Sequence, residues 1–168
     1  MRTLISAVAI LALVGSAAFA AEKPPAGQIL FVCEHGNVKS LMAASYFNQL
    51  AAQRGLPWRA ASRGVAPDST TVPKRIAAAL LAEGVDVSEF RPAKVDAADA
   101  AEAVRIVTIG TDLPAHVSGD EQRIEQWNDV PPASTSYDAA RSSLKAHVAE
   151  LLEQLSRQSA GGQPDRRN

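Results

Sequence analysis

The segment QILFVC, from Gln28 to Cys33, constrains the fold more than any other feature of this chain. Its run of aliphatic and aromatic residues is too short for a core helix and suits a strand buried on both faces. A polar stretch follows, Glu34 to Val38, with Gly36 near its centre. From Lys39 to Arg54 the apolar residues return at helical spacing (Leu41, Ala44, Ser45/Phe47, Leu50/Ala51), and Gly55 ends the pattern. A strand with two buried faces needs covering layers on both sides. The pattern then recurs. Trp58 to Val65 reads as a second strand and Ala66 to Thr71 as a turn-rich stretch. Val72 to Glu83 reads as a helix with Pro73 in its first turn and Gly84 as its stop. Val85 to Val95 is irregular and holds Arg91-Pro92, and Ala97 to Ala103 is a short Ala-rich helix. Arg105 to Gly110 (RIVTIG) is a third buried strand, and Ile124 to Trp127 a brief fourth. Tyr137 to Leu155 places Ala140, Leu144, Val148, Leu151 and Leu155 on one side of a long amphipathic helix. The expected fold is α/β with three layers: a four-stranded, mostly parallel sheet with helices on both faces.

The chain of 168 residues is 46% apolar and 21% charged, as expected of one ordinary globular domain. Its 17 basic and 18 acidic residues give a net charge of −1, which supplies no electrostatic footprint for nucleic acid. A single cysteine rules out an internal disulfide framework and a cysteine-rich metal site. At the N-terminus, Met1-Arg2-Thr3 carries one positive charge, Leu4 to Val14 is almost unbroken apolar sequence, and Ala18-Phe19-Ala20 fits an A-x-A cleavage pattern. The layout is that of a secretory signal peptide, with an uncleaved N-terminal anchor as the alternative. The expected organisation is a signal peptide at 1–20, a linker at 21–27, a domain at 28–156 and a disordered tail at 157–168. The mature protein is expected to be exported, to the periplasm, without membrane attachment after cleavage.

Strand ends facing helix starts are where parallel α/β sheets bind ligands. The loop Cys33-Glu34-His35-Gly36-Asn37-Val38-Lys39-Ser40 occupies that place after the first strand. Consecutive backbone N–H groups and the helix dipole favour a thiolate and cradle an anion there. Gly36 lets the backbone curl, Lys39 adds a fixed positive charge, and the Ser40 hydroxyl has the sulfur within its reach. Glu34, His35, Gly36, Asn37, Val38 and Lys39 are thus the candidate phosphate-binding set, and phosphate or arsenate suits the cradle. Cys33 has two readings, a small buried hydrophobe or a nucleophile. His35 reads as a loop-shaping residue or a metal ligand; no second ligand is evident, and no metal or cofactor is expected. Arg63, Arg91 and Lys94 belong either to the pocket rim or to solvent. Trp127 and Tyr137 read as packing residues, and His116 and His147 as surface residues.

The stretch ILFVCEHGNVKS resembles the Cys-x5-Arg-Ser loop of the low-molecular-weight protein tyrosine phosphatases and of the arsenate reductases that share their fold. Four further matches follow in order: Ser62-Arg63-Gly64, Gly84-Val85-Asp86-Val87-Ser88 with Arg91-Pro92, Val107-Thr108, and Trp127 with Pro132-Ala133. The resemblance implies the family's fold and hydrolysis of phosphate monoesters through a cysteine thiolate, with Cys33, Lys39, Ser40 and Asp129 as catalytic residues. It also implies a phosphorylated substrate as partner.

Three departures bear on that expectation. Lys39 stands where the family has arginine, whose planar fork grips two oxygens at once. Pro131 stands at the family's general acid, and Asp129, two residues earlier, serves only if the loop is rebuilt; otherwise it is a turn residue. Val38, Gly110 and Thr111 lie where the reductases place relay thiols, so Cys33 has no internal redox partner. The alternatives are therefore a catalytically impaired oxyanion-binding or sensing protein, or an arsenate reductase served by an external thiol.

Overall fold

The computed structural model describes residues 27–117 and 120–161. Gly27–Cys33 forms strand β1, and every residue from Ile29 to Cys33 is buried. Alternation sends Ile29, Phe31 and Cys33 into one core cluster and Leu30 and Val32 into another. The first cluster is completed by helices α1 (Lys39–Gln53), α2 (Lys74–Ala82) and α4 (Tyr137–Gly161), the second around α3 (Ala97–Glu102). Strand β1 is thus covered on both faces, as its unbroken apolar run requires. Phe31 is the keystone of the larger cluster. Its ring meets Phe47 of α1 at 6.0 Å and Trp127 at 5.5 Å, both tilted.

Strands β2 (Trp58–Gly64), β3 (Ala103–Ile109) and β4 (Ile124–Trp127) complete a sheet of order β2-β1-β3-β4. Every pairing among these strands is parallel. The chain leaves β1 towards β2 on one side and later returns on the other side for β3. A crevice therefore opens at the carboxyl ends of β1 and β3, the switch point of such a sheet. Cys33, opposite Gly64 in register, lies at that end.

The elements differ from the sequence expectation mainly at their ends. Helix α2 starts at Lys74, two residues later than expected. Pro73 has extended backbone (φ −54°, ψ 132°) and stays outside the helix, its carbonyl accepting from the N–H groups of Ile76 and Ala77. Strand β3 begins at Ala103, because that small buried residue pairs with Gln28. Helix α4 continues through the expected tail boundary to Gly161, and the Ser156 and Ser159 hydroxyls donate back to the carbonyls of Leu152 and Leu155. Residues 162–168, residues 1–20 expected as a signal peptide, and residues 21–26 of the expected linker lie outside the described residues, while Gly27, the last expected linker residue, belongs to β1. Among the described residues no helix is long and apolar enough to cross a membrane.

Candidate active site

The loop between β1 and α1 is held by its carbonyls. Val65 N–H donates to Cys33 O, Ala66 N–H to Glu34 O, and Met42 N–H to Val38 O. The Ser62 hydroxyl lies 3.1 Å from Gly36 O. By contrast, no N–H from Glu34 to Val38 donates to a protein acceptor among the described residues. With the carbonyls turned to the scaffold, the amides are left for a ligand, which is the geometry of an anion nest. Helix α1 starts there with no side-chain cap and no acidic residue in its first turn, so its dipole acts on the same spot.

Two glycines make the curl possible. Gly36 adopts φ +74°, and a Cβ on it would stand 2.6 Å from Gly64 N. A Cβ on Gly64 would in turn stand 2.6 Å from the His35 carbonyl carbon. The loop therefore rests backbone to backbone on the end of β2, and neither contact leaves room for a side chain.

Cys33 is 4% exposed, and its Sγ lies 3.0 Å from Ser40 Oγ. Ser62 Oγ lies 2.9 Å from Ser40 Oγ and 3.1 Å from Gly36 O, and its single proton serves one of them at a time; when it is given to Ser40, the Ser40 proton is free for the sulfur. Ser40 thus takes the place at the thiol expected of it. Ser62, noted in the sequence only as part of a motif, is the residue that orients it, and both hydroxyls are buried. Ser62 lies opposite Phe31 in the β1–β2 register, a placement that only the sheet pairing reveals.

The cleft above the thiol encloses about 270 Å³ and is lined by Cys33, Glu34, His35, Asn37, Val38 and Lys39, with Pro132, Ala133 and Ser134 as its far wall. Lys39 reaches across the end of β3: its Nζ lies 2.7 Å from the position a Gly110 Cβ would take. No carboxylate pairs with this amine among the described residues, so its charge is available to an anion. The Glu34 carboxylate accepts from Thr111 Oγ1 at 3.2 Å. The His35 ring nitrogen Nδ1 bonds the Ala66 carbonyl at 3.1 Å with Asp68 at 3.7 Å, the loop-shaping arrangement. Among the described residues, no group of three or more His, Cys, Asp or Glu side chains stands together to hold a metal.

The structure does not bring Asp129 into the cleft. Both its oxygens lie 3.0 Å from His147 Nε2, and its side chain is 70% exposed. His147 is correspondingly no simple surface residue, for its ring stacks on Trp127 with centroids 4.7 Å apart and planes at 17°. Trp127 itself is buried packing. Arg63 forks onto Asp99 of α3, with Nε and Nη2 at 2.9 and 2.8 Å from its two oxygens. Arg63, Arg91 and Lys94 are absent from the cleft lining.

A family model described as low molecular weight phosphotyrosine protein phosphatase matches residues 28–161. No curated protein matches the chain in sequence. Among solved structures, it superposes on YfkJ from Bacillus subtilis with a TM-score of 0.70 at 20% identity, covering 79% of this chain and 96% of that one. It superposes on the low molecular weight protein tyrosine phosphatase from T. tengcongensis with a TM-score of 0.62 at 21% identity, covering 76% and 99%. An arsenate reductase in its phosphate-binding state gives a TM-score of 0.62 at 21% identity, covering 76% and 98%.

Proposed function

The chain belongs to the low molecular weight phosphotyrosine protein phosphatase family, and from that premise we propose that it hydrolyses aryl phosphate monoesters through Cys33. The observation that supports this most directly is the Ser62–Ser40–Cys33 chain of hydroxyls under an uncommitted row of loop amides. In the first step the Cys33 thiolate attacks phosphorus. An S–P bond forms as the ester P–O bond breaks, and the electron pair leaves on the aryl oxygen. The loop amides and Lys39 hold the equatorial oxygens, and the Ser40 proton stabilises the sulfur anion. Water then attacks phosphorus, the S–P bond breaks, and inorganic phosphate leaves with the thiolate restored.

Asp129 is engaged by His147, and Pro131 has no proton to give. The leaving oxygen therefore takes its proton from solvent, which restricts the enzyme to esters of acidic phenols. Hydrolysis of 4-nitrophenyl phosphate by the protein lacking residues 1–20, lost in Cys33→Ser, is the expected result. Absence of turnover on this ester would overturn the reading. A second reading, oxyanion binding without turnover, is favoured by Lys39 in place of an arginine fork. It predicts calorimetric binding of phosphate or arsenate without hydrolysis. Reduction of arsenate requires an outside thiol, since Cys33 is the only cysteine, and arsenate-dependent consumption of a small thiol tests it. The apolar run Leu4–Val14 before Ala18-Phe19-Ala20 supports export to the periplasm, which N-terminal sequencing of the protein recovered from that compartment checks.

A further inference from the structure

A second cavity of about 210 Å³ adjoins the cleft above Cys33, lined by Val38, Pro73, Arg75, Ile76, Ala133 and Ser134. Val38, Ala133 and Ser134 line both spaces and form the mostly apolar saddle between them. In-line attack by Cys33 on a phosphate held by the loop directs the leaving group away from the sulfur, towards the far wall of the cleft at Ala133 and Ser134. The floor of the second cavity is apolar, and its only charged lining residue is Arg75. The guanidinium lies over the Tyr137 ring at 6.0 Å, and no carboxylate pairs with it among the described residues. The contrast is with Arg141, on the same ring at 6.0 Å, whose guanidinium also meets Asp138 at 3.3 Å and Glu83 at 3.6 Å.

An otherwise unpaired arginine beside an aromatic ring and an apolar cavity has its planar fork available for bidentate recognition of a carboxylate or phosphate. We propose that this cavity is a substrate subsite, and that the preferred substrate is an aryl phosphate whose leaving group carries a second anionic group bound by Arg75. The proposal rests on the hydrolase reading for its chemistry, since it assigns what the leaving group must look like. The apolar saddle takes the ring, and Arg75 takes the anion beyond it.

The test compares 3-(3-nitro-4-phosphonooxyphenyl)propionate, the ester of an acidic nitrophenol, with its uncharged propionamide. The two share nearly the same phenol leaving group and differ by one negative charge at the far end. Wild type is expected to favour the acid about tenfold in kcat/KM, the size of one charge-assisted contact on an accessible side chain. Arg75→Ala is expected to bring the ratio to about one, and Arg75→Lys to keep part of it. The corresponding arylmethylphosphonates, in which a CH2 group replaces the bridging ester oxygen so that no P–O bond can break, give the same comparison by calorimetry. Turnover of both esters with no preference in wild type, or a preference that survives Arg75→Ala, overturns the subsite. Preferential binding of the acidic phosphonate that Arg75→Ala abolishes, in a protein that hydrolyses neither ester, upholds the subsite and overturns the hydrolase reading instead.

Discussion

At the scale of single residues, the thiol site is set by what its neighbours lack. Lys39 supplies charge to the cleft as a point, whereas a guanidinium in its place supplies two parallel donors to equatorial oxygens. Lys39→Arg is therefore expected to raise kcat on 4-nitrophenyl phosphate by roughly tenfold or more, with a smaller change in KM, because the added contact strengthens in the transition state. An unchanged kcat would show that the space beside Gly110 cannot seat the fork. Gly36 is the other decisive residue. An alanine there combines a left-handed φ of +74° with a Cβ 2.6 Å from Gly64 N. Gly36→Ala is expected to lower unfolding free energy by roughly 2–4 kcal/mol and to abolish oxyanion binding, readable by denaturant melts and calorimetry. That Cys33, Gly36 and Ser40 meet in one loop was legible, since a strand followed at once by a helix closes a short turn between them. Ser62 was not, because it comes from another strand and its contact with Ser40 depends on sheet register.

At the scale of elements, helix α4 is fastened to the rest of the domain through Glu83, at the end of α2. Lys145 and Arg141 both reach this carboxylate, and the Tyr46 and Tyr137 hydroxyls, 3.4 Å apart, each lie 3.5 Å from its Oε1. Burial, with the Tyr137 hydrogen bond, holds the Tyr46 phenol protonated far above its ordinary range. Burial also pushes the Glu83 carboxyl up, but Lys145 and then Arg141 outweigh it, so the acid lies below its ordinary value. The unfolded chain consequently takes up this proton first as pH falls. The contribution is present at neutral pH and fades from about pH 5 downwards. Glu83→Gln is expected to be less stable than wild type by about 1–2 kcal/mol at pH 7 and by clearly less below pH 4, measured by urea melts at both values. A gap of equal size at both pH values would contradict the linkage.

Between β4 and α4 the sequence misleads for a physical reason. Asp129 lies two residues before Pro131, the family's acid position, which offered it as a displaced acid or a turn residue, yet His147, eighteen positions on in the chain, stacks on Trp127 and engages the carboxylate. Spacing along a sequence contains nothing of that helix-to-strand contact. Asp129→Asn is accordingly expected to leave kcat on 4-nitrophenyl phosphate within about twofold of wild type, a factor worth less than 1 kcal/mol. A loss of a hundredfold or more would instead mean that Asp129 leaves His147 and enters the cleft during turnover. Helix and strand identities were legible because β1 and β3 carry short apolar runs, Ile29–Cys33 and Ile106-Val107, while the helices show periodic ones. Their ends were not, since Pro73 and Ala103 are placed by backbone conformation and pairing.

For the whole molecule, the decisive count is one cysteine in 168 residues. Cys33 sits at the single switch point of a parallel sheet, and no rearrangement of this chain can bring it a second thiol. Oxidation of Cys33 therefore has no internal disulfide in which to rest. Peroxide is expected to convert Cys33 first to the sulfenic acid and then to higher oxides, with aryl phosphatase activity falling in step. Bound phosphate should slow the loss by occupying the space through which the oxidant reaches a sulfur that is only 4% exposed. Early addition of a small thiol should restore activity by reducing the sulfenic acid; late addition should not, once sulfinic acid has formed. Intact-mass measurements along the same time course should show one, two and three added oxygens on the monomer. Recovery of activity on standing, without any added thiol, would contradict this picture, because it would require a reductant that the sequence does not contain.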